Sequence, residues 1–259
     1  MKKIQAPGRA IRLKICCIVC ACIMLPSAVR AQRNTAYYNQ VWLGYFNQTR
    51  VSRHWGAWTD LHLRTREYFF TAFYQSIARA GITYFVNDNT RLTAGYAYVT
   101  TYKGDSHPFV AQPEHRPWQQ VQWLNRYPRL RLMQWFRLEE KFRRRVVNGS
   151  ELASGYNFNY KIRYNFFLQA PLSRKAFAPN TLSFVVNNEV HVNFGKQVVY
   201  NVFDQNRFFL GFAWHTSKTN NLQFGYMNLF QQLPAGNQYK MIHAARVFYF
   251  HNLDLRKKP

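Results

Sequence analysis

The stretch from 155 to 168, Gly-Tyr-Asn-Phe-Asn-Tyr-Lys-Ile-Arg-Tyr-Asn-Phe-Phe-Leu, constrains the fold more than any other part of the chain. Tyr156, Phe158, Tyr160, Ile162, Tyr164, Phe166 and Leu168 share one parity, while Asn157, Asn159, Lys161, Arg163 and Asn165 share the other. Strand side chains alternate between faces, so the pattern predicts a β-strand with one apolar, aromatic face and one polar face. At about 3.4 Å per residue it can cross a bilayer when tilted, which takes roughly 9–11 residues. A soluble sandwich also alternates, but its strands average about 5–6 residues. Rings on one face with Lys and Arg on the other suit a transmembrane barrel, lipid outside and a wet, charged lumen inside.

The N-terminus supplies an address. Lys2, Lys3, Arg9, Arg12 and Lys14 form a basic region, 15–25 an apolar run, and Val29-Arg30-Ala31 places small residues before a cut. This reads as a secretory signal peptide over 1–31, with one domain over 32–259. The apolar run falls short of the ~18 residues a helical membrane span needs. Cys16, Cys17, Cys20 and Cys22, all four cysteines of the chain, lie inside the signal. The mature chain therefore has neither a disulfide framework nor a cysteine metal site. Removing six basic signal residues lowers the formal charge from +24 to +18. An exported chain with its basic residues scattered through strands points away from nucleic acid. It points toward outer-membrane lipid, lipopolysaccharide phosphates at the rim, or a small anionic solute in the lumen.

Similar runs recur at 39–48, 55–64, 74–86, 91–102, 118–126, 130–143, 155–168, 180–193, 208–214, 222–226 and 240–251. Segments 103–117, 144–154 and 195–205 read as loops. The expectation is all-β: a transmembrane, antiparallel up-and-down barrel of 10–12 strands. Twelve is favoured because bacterial single-chain barrels are even-numbered. Residues 32–38 would supply a partial extra strand, unless one run is not a strand. Glu140 breaks the outward apolar pattern and is expected near headgroup level. The destination is the outer membrane of a Gram-negative cell, as a monomer.

The inward parity carries Asp60, His62, Arg64, Arg79, Arg137, Glu139, Lys141, Lys161, Arg163, Glu189 and His191. Charges removed from water need partners, so the first reading is a plugged structural barrel with a cross-braced ionic lumen. The cationic surplus keeps a second reading open, a narrow anion-preferring pore. A third is a lipid- or lipopolysaccharide-modifying enzyme, since Asp60 and His62, or Glu189 and His191, share a face. That spacing is shared by i and i+2 in any strand, and no nucleophile or phosphate-cradling motif accompanies it. No catalytic set, cofactor or metal ligand set is predicted, although His107 and His115 fall on one predicted loop.

Four segments, His115-Arg-Pro-Trp-Gln-Gln120, Arg137-Leu-Glu-Glu-Lys-Phe142, Asp204-Gln-Asn-Arg-Phe-Phe-Leu-Gly211 and Gly225-Tyr-Met-Asn228, follow in that order. Together they resemble an uncharacterised outer-membrane family common in Bacteroidetes, domain of unknown function 2490. The resemblance implies a barrel and supplies no catalytic residue or ligand. One departure stands out. Outer-membrane barrels usually end on an aromatic residue, whereas this chain runs past Phe250 to Pro259.

Overall fold

A computed structural model describes residues 34–66, 72–104 and 107–256; the expected signal peptide lies outside them. Eleven strands run through the described residues: β1 (Asn34–Arg50), β2 (Trp55–Thr65), β3 (Phe73–Phe85), β4 (Thr90–Thr101), β5 (Gln112–Tyr127), β6 (Leu130–Val147), β7 (Glu151–Pro171), β8 (Thr181–Phe194), β9 (Phe203–His215), β10 (Asn221–Gln232) and β11 (Gln238–Asp254). Each pairs with its neighbour in sequence, and β1 pairs with β11 to close a barrel.

The favoured count of twelve is corrected to eleven. Residues 34–38 extend β1 and do not form a separate strand. In an up-and-down meander an odd count leaves the first and last strands pointing the same way, so their pairing has to be parallel. It is parallel, from Asn34↔Gln238 to Arg50↔Asp254. The described strand segment therefore begins at one rim and ends at the other.

All three predicted loops shrink, 195–205 losing its last residues to β9. Residues 112–117 belong to β5 despite Pro113 and Pro117. Both prolines sit where β5 has no register partner on β6, so their missing amides cost no rung there. Likewise 144–154 is mostly strand, reversed by Asn148 and Gly149 with φ of 50° and 70°. Two successive positive φ values mark a turn whose twist matches the flanking strands. Pairing resumes at Val147↔Glu151.

Alternation then sorts the faces. Ile162 and Tyr156 are exposed on the outer surface, while Lys161, Arg163 and Asn165 are buried inside. Trp55, Leu61, Ile82, Tyr84, Leu92, Leu210, Phe212 and Trp214 continue the apolar exterior around the barrel. Among the described strands, Glu140 is the one carboxylate on the outward parity, paired in register with Tyr160. Phe250 does not act as an outward terminal aromatic. It faces inward and stacks on Phe46, centroids 4.5 Å apart, while β11 runs on to Asp254.

The interior is not wholly polar. Trp42, Val185, Phe209, Met227, Leu229, Ile242 and Phe248 form a buried apolar cluster on β1 and β8–β11. Trp118 packs separately on Gly81 and Gly95, which face each other across β3 and β4. A Cβ at Gly95 would come within 2.9 Å of the indole and 2.3 Å of the Ala80 carbonyl. Glycine lets the ring lie flat against the wall.

Candidate functional site

The candidate site is the lumen. All eleven predicted inward residues are buried there. Seven of them, on β6–β8, are tied together by ion pairs that begin on β5 and reach β9. Glu114 accepts from Arg116 Nε at 2.7 Å and from Arg143 Nε at 2.9 Å. Arg116 Nη1 donates to Glu139 at 3.0 Å. Arg163 bridges Glu139, at 2.5 Å from Nη1, and Glu189, at 2.7 Å from Nε. Glu189 also lies 3.5 Å from Arg207 and 3.2 Å from His191. Lys161 pairs with Asp204 two strands away, and Lys141 lies 3.7 Å from Glu114. The sheet brings these groups together because same-parity residues on adjacent strands are side by side.

A second cluster occupies β2 and β3. Asp60 accepts from Arg79 Nε at 2.8 Å and from Trp58 Nε1 at 2.6 Å, with His62 Nε2 at 2.9 Å. Arg137 donates to Gln120 at 2.9 Å and stacks on Trp118 at 4.4 Å.

Sequence reasoning missed Glu114, Arg116, Asp204, Arg207 and Arg246. The first three fell in segments read as loops, Arg207 just before the run that starts at 208, and Arg246 in a run whose faces were not assigned. For Glu114 and Arg116 a signal was present: Glu114, Arg116, Trp118, Gln120 and Gln122 continue one parity straight across the prolines. With them, nine cations (Arg64, Arg79, Arg116, Arg137, Lys141, Lys161, Arg163, Arg207, Arg246) meet five buried carboxylates (Asp60, Glu114, Glu139, Glu189, Asp204).

The surplus gathers at the apolar cluster. Trp42 carries Arg64 at 3.6 Å and Arg207 at 5.1 Å from its ring centre. Arg246, in register with Trp42, stands 3.4 Å over Phe209. Among the described residues the hydrogen-bond acceptors of Arg64 and Arg246 are amide oxygens: Gln75 at 2.8 Å for Arg64, Gln223 at 3.0 Å and Asn187 at 3.3 Å for Arg246. Cation–π stacking on aromatic faces offsets part of the cost of holding these charges away from water.

Between the walls runs one cavity of about 1210 Å³. Its lining includes Asp88, Arg126 and Asn252 at one rim and His107, Gln197 and Pro234 at the other.

The catalytic alternatives find little geometry. Ser183 Oγ lies 2.8 Å from His215 Nε2, yet Ser183 is fully buried, neither residue lines the cavity, and Phe177 caps the imidazole edge-on at 5.7 Å. His107 lines the lumen mouth, bonded to the Val110 carbonyl at 2.8 Å. His115 instead projects outward beside Tyr96 and Tyr156, so the two predicted loop histidines do not converge. Among the described residues no three His, Cys, Asp or Glu side chains are placed to hold a metal ion.

Comparison with known families matches residues 39–240 to DUF2490, described as a protein of unknown function. The chain belongs to that family. No curated protein and no solved structure matches it. The DUF2490 match takes in the whole ion-pair ladder from Glu114 to Arg207 and stops before Arg246 and Phe248.

Proposed function

We propose that the protein is an outer-membrane barrel of a Gram-negative cell that passes small anions through a narrow, cation-lined lumen. The cavity carries this reading, because its lining reaches from one rim to the other along a wall with more guanidinium than carboxylate. A surplus of fixed positive charge in a low-dielectric passage favours anions over cations. The membrane location is supported by the exposed apolar exterior, which no aqueous surface of this extent sustains. The rim with the β6–β7 hairpin, where Arg143 and Arg145 are exposed, suits lipopolysaccharide phosphates at the cell surface.

The closed, structural barrel is the second reading, favoured by the apolar cluster that fills one side of the lumen. One measurement separates them. Purified protein in a planar bilayer under a KCl gradient should conduct, with a reversal potential of the sign set by chloride. Silence from protein shown to be folded by heat-modifiable gel mobility would leave the structural barrel. Fractionation tests location: release by salt wash without detergent would exclude a bilayer-spanning barrel.

A further inference from the structure

The charged wall and the apolar wall of the lumen meet at one place, and that juncture resembles neither a pore lining nor a plug. Arg64, Arg207 and Arg246 are grouped about Trp42, and the Nε of each is buried without a hydrogen-bond acceptor among the described residues. Arg64 and Arg246 are both more than nine-tenths buried and have no carboxylate partner among those residues. Guanidinium groups carry five donors in a planar fork that fits a carboxylate in bidentate fashion. A buried charge left with amide oxygens alone is costly, and an anion arriving between these groups would lower that cost.

The opposite half of the juncture is hydrocarbon. Phe209, Met227, Leu229, Ile242 and Phe248 all line the same cavity as the three arginines. A channel for inorganic anions gains nothing from such a surface, and a plug leaves no space beside it. Small-molecule sites combine a mainly apolar lining with a few convergent polar groups, in volumes of roughly 300–1,000 Å³. The lumen, at about 1210 Å³, is of that order.

We propose that this juncture binds an amphipathic organic carboxylate, its head between Arg64, Arg207 and Arg246 and its apolar body on Phe209, Met227 and Phe248. The apolar half lies on the inner side of the strands, so the ligand enters through the lumen as a soluble molecule, not laterally from lipid. The proposal rests on the reading that the lumen is open to solutes, and it specifies which solute class is retained there.

The test uses the full mature chain in nanodiscs, with empty nanodiscs subtracted to remove partitioning into lipid. Equilibrium dialysis is run with 4-phenylbutyrate, with acetate as head alone and with 4-phenylbutanol as body alone. Phenylbutyrate should bind at least tenfold more tightly than either fragment. Arg246→Gln should weaken it about tenfold, a loss of about 1.4 kcal/mol. Arg246→Lys, which keeps the charge but not the fork, should fall between. Heat-modifiable mobility shows which variants are folded, and Arg64→Gln serves if Arg246→Gln is not. Equal uptake of acetate and phenylbutyrate would overturn the ligand class. So would uptake unchanged in a folded Arg246→Gln variant, or no protein-dependent uptake of any probe. Bilayer conductance is read separately: a conducting protein that binds no phenylbutyrate loses this proposal alone, and a silent one that binds it loses the pore alone.

Discussion

The two sides of the lumen hold the barrel together by opposite means. On β5–β9, Arg116, Glu139, Arg163, Glu189 and Arg207 alternate in sign from strand to strand, with Glu114 beside Arg116 on β5. On β9–β11 and β1, rings and aliphatic chains pack as they would in a soluble core. The charged side is specific but unforgiving, because every group depends on partners that are also buried. The apolar side tolerates change in proportion to the volume removed. The difference teaches that a barrel interior need not be uniformly wet: one lumen can be half salt-bridge lattice and half hydrophobic core.

The most damaging single change should fall on the charged side. Glu139 is fully buried and accepts from both Arg116 and Arg163. Glu139→Gln leaves two guanidinium groups short of charge, which by analogy with broken buried pairs costs about 3–5 kcal/mol. Urea unfolding in lipid vesicles, followed by tryptophan fluorescence, measures it. A loss under 1 kcal/mol would mean that water already solvates the ladder, and the contrast between the walls would dissolve.

Phe209→Ala is the matching change on the apolar side. Phe209 is buried at 1% exposure and supports Arg246. Truncation should cost about 3 kcal/mol, within the range for a buried phenylalanine. Single-channel conductance should rise while anion preference stays, since no charge is removed. A fall in conductance would show that the ring props the passage open.

A smaller effect is expected beneath that ring. Gly211 faces Gly225 across β9 and β10, and a Cβ at Gly211 would come within 2.7 Å of the Phe209 ring and 2.3 Å of the Phe224 carbonyl. Gly211→Ala should cost about 1–3 kcal/mol through overpacking. The same substitution at Gly104 meets nothing closer than the tip of Arg66 at 3.3 Å, and should pass nearly unnoticed in the same urea titration.

How much of this could be read from the chain follows from which residue types alternate. β7 was legible because its two faces differ in chemistry at every position, Tyr160, Ile162 and Tyr164 against Lys161, Arg163 and Asn165. β11 was not: in Arg246-Val-Phe-Tyr-Phe250 both parities are aromatic, so Phe248 and Phe250 inside look like Tyr249 outside. The apolar wall stayed hidden for that reason. Charges on β6 to β8 were placed on the correct face, but their partners Glu114 and Arg116 were hidden by Pro113 and Pro117, which signal a loop unless the neighbouring strand leaves those rungs empty. The observed eleven strands lie within the expected 10–12, and only the preference for twelve, drawn from a prior about parity, gives way. Nothing in local sequence forbids a parallel closing pair.

The smallest expected effect isolates burial from pairing. Arg50 Nη1 and Asp88 are 2.6 Å apart in the β3–β4 turn region, almost the spacing of Arg163 Nη1 and Glu139. Asp88, however, is exposed at the rim. A hydrogen bond from Arg50, and then that guanidinium's charge, hold the Asp88 carboxyl below its ordinary value. A depressed folded value means the pair helps stability above the unfolded carboxylate range and loses that help as pH falls through the folded value. Solvent screens the pair from the exposed Asp88 side, so the contribution is small even where it is complete. Asp88→Asn should therefore leave the urea midpoint unchanged within error at pH 7, while Glu139→Gln shifts it strongly. Raising salt to 1 M shortens the screening length to about 3 Å; it should erase any residual Asp88 effect and leave the Glu139 effect in place. If both variants responded to salt alike, the Glu139 ladder would be as open to water as the rim.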